Sequence, residues 1–169
     1  MRYFSGFCLN HEEKIFQDFL NTSDFTVAGF SYGAIKAFEY TLASKERIDT
    51  LQLFSPAFFG DKDAKFKKLQ TLSFTKNSEL YTQNFMQNIA YPSKFDMQPY
   101  FKQGTAEELH ELLYYVWDTA NLQHIKERGI TIEVYLGECD TIIDALHVKD
   151  FFVPYASVYY FKRVGHILK

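Results

Sequence analysis

The chain of 169 residues has few cysteines and no long apolar run, and each scarcity excludes a class of protein. Its two cysteines, Cys8 and Cys139, lack the paired spacing of a zinc site. No apolar run approaches the length of a membrane span, and no signal peptide precedes the first predicted strand. The cysteines are therefore expected to be reduced thiols, and we expect a cytoplasmic protein without a membrane anchor.

Basic residues are also too few for a nucleic-acid-binding protein. The 18 Lys and Arg residues are outnumbered by 21 Asp and Glu residues, which gives a formal net charge of -3. No cluster of His, Asp and Glu has metal-ligand spacing, so we predict neither a metal nor a cofactor. Aromatic residues, in contrast, make up 18% of the chain. They fit either an aromatic core or an apolar pocket for an acyl chain.

The most informative stretch is Gly-Phe-Ser-Tyr-Gly at residues 29–33. It matches the G-x-S-x-G nucleophile elbow, in which a serine occupies a strained turn between a strand and a helix. Because that strand and helix approach closely, the positions two before and two after the serine must be small, here Gly29 and Gly33. An apolar, β-branched run precedes the motif, and a helical pattern follows it to about residue 46. Ser31 is therefore the candidate nucleophile.

Strand and helix patterns alternate around this motif, which predicts an α/β fold with a mostly parallel sheet of about five strands. The predicted strands are 2–4, 25–28, 50–54, 130–136 and 157–161, with helices at 11–20, about 34–46 and 144–152. The alternation lapses in the middle, where helices are predicted at 62–72, 78–89 and 105–117; Thr105 and Glu108 form a capping box at the start of the last. We therefore predict a core of residues 1–55 and 124–169, with a helical lid at 56–123.

A serine nucleophile needs a histidine base and a carboxylate, and on this fold the chain order is Ser, Asp or Glu, then His. His166 follows the last predicted strand, directly after a glycine. Three acidic residues follow the strand before it. Asp140 is the preferred acid because it lies far enough along its loop for the carboxylate to reach the loop that follows the next strand. Glu138 and Asp144 stay open as alternatives, although Asp144 fits better as a helix cap.

The negatively charged oxygen of a tetrahedral intermediate needs hydrogen-bond donors. The backbone N–H of Tyr32, which follows the nucleophile, is one candidate. The other is the N–H of Phe7, in the loop after the first strand, where Gly6 keeps the backbone close to the site. Cys8 lies in the same loop but lacks an elbow, so we do not expect it to be a nucleophile.

With these residues in place, the sequence resembles a very short α/β-hydrolase, and more narrowly the pimeloyl-(acyl-carrier protein) methyl ester esterases of biotin synthesis. That family commonly has His-Gly-Trp-Gly-Leu-Asn after the first core strand; residues 5–10 here are Ser-Gly-Phe-Cys-Leu-Asn. The elbow, a Gly-x-x-Asp acid loop at residues 137–140 and Gly165-His166 also match. The two strands that usually come first and the final helix are not found in this sequence, and the oligomeric state is not indicated.

The resemblance implies an esterase that hydrolyses the methyl ester of pimeloyl-(acyl-carrier protein) methyl ester, giving pimeloyl-(acyl-carrier protein) and methanol. Such a substrate implies an apolar tunnel under the lid, for which Phe58, Phe59, Phe85 and Tyr115 are candidates. It also implies a basic surface that binds the acidic carrier protein. The alternative is that the basic residues concerned form only a solvated helix face. The lysines in question are Lys62, Lys65, Lys67, Lys68 and Lys76.

Two other functions fit the same residues. A general carboxylesterase or an acyl thioesterase would use the same elbow and triad on a different substrate. A non-catalytic binding protein of this fold is disfavoured because Ser31, Asp140 and His166 are all present.

Overall fold

The computed structural model describes all 169 residues and contains one five-stranded sheet. Its strands are β1 (Arg2–Phe4), β2 (Thr26–Phe30), β3 (Thr50–Phe54), β4 (Thr131–Gly137) and β5 (Ser157–Phe161). The spatial order is β1-β2-β3-β4-β5, and every neighbouring pair is parallel. The predicted parallel sheet is confirmed, and the carboxyl ends of all five strands meet at one edge. None of the helices has the length and apolar character needed to cross a membrane.

Side chains of the central strands alternate between two apolar layers, as the period of two in a strand requires. On β3, Leu51 and Leu53 face the larger layer, and Phe54 faces the smaller one. Phe16 fills the centre of the smaller layer, with its ring 4.9 Å from Phe30 and 4.7 Å from Phe54. The sheet is therefore covered on both faces, as expected for parallel strands.

Six α-helices connect and cover the strands. They are α1 (Tyr32–Ala43), α2 (Ala64–Lys76), α3 (Ser78–Ala90), α4 (Ala106–Tyr114), α5 (Thr119–Glu127) and α6 (Ala145–Phe152). The predicted capping box is present, because Thr105 accepts from the N–H of Glu108 and the Glu108 side chain accepts from the N–H of Thr105. Helices α2, α3 and α4 lie in the predicted lid. Helix α5 crosses the predicted lid boundary at residue 123 and contacts α1.

The predicted helix over residues 11–20 is wrong. Only a five-residue 3-10 turn forms, at Glu12–Phe16. His11 before it has a φ of 61°, and Glu12, Ile15 and Phe16 are all buried. The left-handed backbone of His11 excludes it from a helix, and after Phe16 the chain closes in a turn, in which the N–H groups of Phe19 and Leu20 both donate to the carbonyl oxygen of Phe16. Helix α5 was not predicted from the sequence; Asp118 caps it by accepting from the N–H of Ala120.

Candidate active site

Ser31 occupies a strained turn between β2 and α1. Its backbone has φ 54° and ψ -114°, a conformation that residues other than glycine rarely adopt. A Cβ atom at Gly29 would lie 2.2 Å from the carbonyl oxygen of Gly33, and one at Gly33 would lie 2.0 Å from that of Phe4. Only glycine fits at either position, so strand and helix meet as closely as the G-x-S-x-G pattern predicts.

The end of β3 holds this turn in place. The N–H of Ser31 donates to the carbonyl oxygen of Phe54 at 2.9 Å, and the N–H of Ala57 donates to that of Ser31 at 3.1 Å. The serine is consequently fixed at the carboxyl edge of the sheet, where its residue is only 5% exposed and lines a cavity.

Asp140 and His166 meet at the same edge. The carboxylate Oδ2 of Asp140 lies 2.6 Å from Nδ1 of His166, and neither side chain is exposed to solvent. The other carboxylate oxygen, Oδ1, accepts from the N–H groups of Ile142 and Ile143 at 2.8 and 3.1 Å. These two bonds fix the carboxylate, so it can orient the imidazole ring.

The two alternative acids lie elsewhere. Glu138 is exposed and accepts from the N–H of Arg163 at 3.3 Å. Asp144 caps α6 by accepting from the N–H of His147 at 3.0 Å. Of the three acidic residues, the structure brings Asp140 to His166.

The second ring nitrogen of His166, Nε2, is buried and makes no hydrogen bond, whether to Ser31 or to another group. The imidazole packs 4.9 Å from the Phe30 ring, next to the elbow. Its backbone is held tightly, because a Cβ atom at the preceding Gly165 would lie 1.7 Å from the carbonyl oxygen of Tyr91. An unpaired ring nitrogen on a fixed imidazole is available to accept a proton.

Ser55 is a site residue that the sequence analysis missed. It is fully buried directly after β3, has a φ of 40°, and its hydroxyl donates to the carbonyl oxygen of His166 at 2.7 Å. Its position after a strand, at the same edge as Ser31, was the available indication. It fixes the backbone of the histidine loop.

Of the two predicted oxyanion donors, Tyr32 follows Ser31 in the chain, and Phe7 lines the same cavity as Ser31. The N–H of Phe7 donates to no acceptor within the protein, although the residue is buried. Tyr32 is the first residue of α1, where a helix offers its N–H no internal acceptor. Phe7 belongs to a turn closed by a bond from the N–H of Leu9 to the carbonyl oxygen of Gly6, 3.2 Å, with Cys8 at a φ of 59°.

The side chain of Tyr32 joins the elbow helix to α4. Its hydroxyl donates to Glu111 on α4, and Lys36 of α1 donates to the same carboxylate oxygen at 2.6 Å. Burial, and then the bond to Glu111, raise the pKa of Tyr32 to about 12. The hydrogen bonds from Lys36 and Tyr32 lower the pKa of Glu111. The Tyr32 hydroxyl therefore stays protonated and the Glu111 carboxylate stays ionised at neutral pH, which preserves both hydrogen bonds.

Ser31 opens into a mostly apolar cavity of about 410 Å³ between α2, α3 and α4. No acidic, basic or histidine side chain lines it. The prediction for its lining holds for Phe59 and Phe85 but is wrong for the other two aromatics. Phe58 packs against Phe151 instead, and Tyr115 donates a hydrogen bond to Glu39. Further lining residues are Phe7, Phe66, Leu109, Leu112 and Leu113.

The five predicted lysines differ in their surroundings. Lys62 pairs with Asp61 at 2.7 Å, and Lys67 lies 5.2 Å from the centre of the Tyr114 ring. The other three are exposed on α2 and form no ion pair: Lys65, Lys68 and Lys76.

Comparison by sequence finds no family model and no curated protein that matches this chain. Comparison by structure finds BioG from Haemophilus influenzae, with a TM-score of 0.60 and 16% identity over 98% of this chain and 87% of that one. MenH from S. aureus matches with a TM-score of 0.60 and 14% identity, over 99% and 87% of the two chains. A carboxylesterase from Nitrososphaera gargenis matches with a TM-score of 0.59 and 13% identity, over 83% of this chain.

This chain spans 57% of the length of that carboxylesterase, and 53% of the carboxylesterase CesB from Bacillus subtilis. At these identities, the likeness is one of fold. Together with the parallel sheet and the elbow between β2 and α1, it shows that the chain has the α/β-hydrolase fold.

Proposed function

We propose that the protein is a serine-dependent carboxylic ester hydrolase, with Ser31 as nucleophile, His166 as general base and Asp140 as the residue that orients it. One observation carries the proposal: the buried 2.6 Å contact of Asp140 with His166 lies at the sheet edge where Ser31 occupies its strained turn. These three residue types in this order perform acyl transfer on this fold.

In the proposed reaction, Ser31 Oγ attacks the ester carbonyl carbon, and its proton passes to Nε2 of His166. The resulting oxyanion accepts hydrogen bonds from the N–H groups of Phe7 and Tyr32. The intermediate collapses as His166 returns the proton to the alcohol, which leaves. Water, deprotonated by the same nitrogen, then attacks the acyl carbon, and His166 returns the proton to Ser31 Oγ as the acid leaves. Asp140 stabilises the imidazolium in both halves.

For the substrate, we propose pimeloyl-(acyl-carrier protein) methyl ester, which would yield methanol and the free distal carboxylate in biotin biosynthesis. The motif resemblance supports this choice, and so does the apolar cavity, whose size suits an alkyl chain with its ester at Ser31. The cavity lining has no cation to neutralise a carboxylate, so the neutral ester should bind better than the free acid product.

We propose that the carrier protein contacts the outer face of α2. Lys65, Lys68 and Lys76 lie there without ionic partners, and exposed Leu69 of the same helix lines the cavity mouth. An acidic carrier at this face would be attracted electrostatically while its acyl chain enters beside Leu69.

The test is hydrolysis of pimeloyl-carrier methyl ester beside a short-chain aryl ester, with Ser31→Ala as the control. We expect Ser31-dependent loss of the methyl group with the thioester intact. We also expect Lys65→Glu/Lys68→Glu to raise KM for the carrier substrate and leave aryl ester hydrolysis unchanged. Activity on the aryl ester alone would identify a carboxylesterase of another substrate, and cleavage of the thioester a thioesterase. Inactivity on both would favour a binding protein.

A further inference from the structure

Glu12 is a fully buried acidic residue to which the proposed reaction assigns no role. It lies in the 3-10 turn after the Phe7 loop, and no Lys, Arg or His pairs with it. Glutamate is almost never fully buried without a partner, because removing its charge from water is unfavourable. A specific contact must therefore account for its place in the core.

That contact is with the loop that holds the predicted oxyanion donor. Oε1 of Glu12 accepts from the backbone N–H of Gly6 at 2.7 Å and from the hydroxyl of Tyr3 at 3.3 Å. Its other oxygen, Oε2, is buried without a partner. Burial raises the pKa of this carboxyl group, and the N–H of Gly6 opposes that rise. The side chain thus links the 3-10 turn to β1 and to the residue directly before Phe7.

The carbonyl of Gly6 and the N–H of Phe7 belong to one planar peptide unit. The N–H of Leu9 fixes that unit by donating to the carbonyl oxygen of Gly6. Glu12 fixes the opposite side of Gly6, its own N–H. Glycine has the greatest backbone freedom of any residue, so both restraints are needed to hold the direction in which the Phe7 N–H points.

We propose that Glu12 is a positioning residue for the oxyanion hole: by holding the N–H of Gly6, its carboxyl group aims the N–H of Phe7 at the reacting oxygen. This inference rests on the proposed ester hydrolase function. Glu12 acts through the loop and does not touch the substrate.

Three variants test the proposal on the full-length protein. Glu12→Met keeps the side-chain length but removes the acceptor, Glu12→Gln keeps an acceptor oxygen, and Glu13→Gln is a neighbouring control that forms no side-chain hydrogen bond. Losing an oxyanion donor lowers kcat by about 100- to 1,000-fold, so a misaimed one should lower it by about 10- to 100-fold. We expect that loss in Glu12→Met with KM for an aryl ester unchanged, and near-normal kcat in the other two variants.

Hydrogen exchange at the amide of Gly6, measured by NMR, provides a readout that is independent of catalysis. We expect protection in the wild type and in Glu12→Gln, and at least tenfold faster exchange in Glu12→Met. Unchanged kcat in Glu12→Met, equal losses in Met and Gln variants, or an effect confined to KM would overturn the proposal. If Glu12→Met does not fold, a large kcat loss in Glu12→Gln with Gly6 still protected would overturn it. If the wild type lacks Ser31-dependent activity, the proposed function fails, and unprotected Gly6 would separately refute the contact.

Discussion

Replacing Asp140 by asparagine tests the assignment of the triad acid with almost no change in shape. Oδ1 of Asp140 accepts from two backbone N–H groups, those of Ile142 and Ile143. In Asp140→Asn, the amide oxygen must keep that place, because its NH₂ group would face two donors there. The NH₂ group therefore replaces Oδ2, which lies 2.6 Å from Nδ1 of His166, and points at that nitrogen.

This geometry determines what the substitution does to the base. Nδ1 must then accept a hydrogen bond, so the imidazole proton moves to Nε2, the nitrogen that takes the proton of Ser31 in the proposed reaction. The negative charge that stabilises the imidazolium is lost as well. Because neither side chain is exposed, solvent does not screen the effect. A wrong tautomer of this kind lowers kcat by about 10⁴-fold, which corresponds to an activation barrier about 5.5 kcal/mol higher.

The assay is hydrolysis of an aryl ester at saturating concentration, with thermal unfolding measured in parallel. Because Asp140→Asn retains its hydrogen bonds, we expect its melting temperature to stay close to that of the wild type. Glu138→Gln and Asp144→Asn are the matched controls. Glu138 is exposed, and asparagine caps a helix as well as aspartate does, so both should stay within about threefold of wild-type kcat.

A kcat within about tenfold of wild type in Asp140→Asn would refute this reasoning. A large loss in Glu138→Gln or Asp144→Asn would instead place the acid at that residue. Loss of activity together with early unfolding would show that Asp140 holds the loop rather than the base.

Three further changes test other parts of the site. Ser55→Ala leaves the carbonyl oxygen of His166 without its buried donor, so we expect about 1–3 kcal/mol lower stability in denaturant unfolding and a reduced kcat. Gly33→Ala places a methyl group 2.0 Å from the carbonyl oxygen of Phe4, so we expect the free energy of unfolding to fall by about 1–3 kcal/mol or more; wild-type stability would contradict the elbow geometry. Burial raises the pKa of the Cys8 thiol to about 11, so only about 0.1% of it is thiolate at pH 8. Mass spectrometry should therefore find slow alkylation of Cys8 by iodoacetamide, with a rate that increases as the pH rises toward 11. Rapid labelling of Cys8 at pH 7 would be inconsistent with this burial.

The residues of the site were predictable where local chemistry dictates the sequence. The elbow needs small residues around Ser31, and the spacing of Gly29 and Gly33 records that need directly. Strands β1, β3 and β5 begin and end at the predicted residues; β3, for example, is a short run rich in apolar residues that Ser55 and Pro56 close. Asp140 and His166 follow strands whose ends share one edge, so the topology alone placed them near each other.

Features that depend on contacts between distant segments were not predictable in this way. The sequence pattern places Glu12 in the first turn of a surface helix. In the structure it is buried, and it accepts hydrogen bonds from the N–H of Gly6 and the hydroxyl of Tyr3. The apolar spacing around Phe16 suits a helix equally well, but the chain forms a 3-10 turn from which Phe16 stacks on Phe54. Phe58 and Phe59 are adjacent and chemically identical, and only the packing decides that Phe59 alone lines the cavity.

The hydrogen bonds of Tyr32 and Lys36 to Glu111 connect the start of α1 to α4, which forms one wall of the cavity. Leu109, Leu112 and Leu113 of α4 line the cavity, and Glu111 on the same helix holds Tyr32, whose backbone N–H is a proposed oxyanion donor. An α4 that tilts outward to admit a wide substrate must either break these bonds or pull on the start of α1. In the second case, a substrate too wide for the cavity would also shift the proposed donor at Tyr32, and would be hydrolysed more slowly even where it binds.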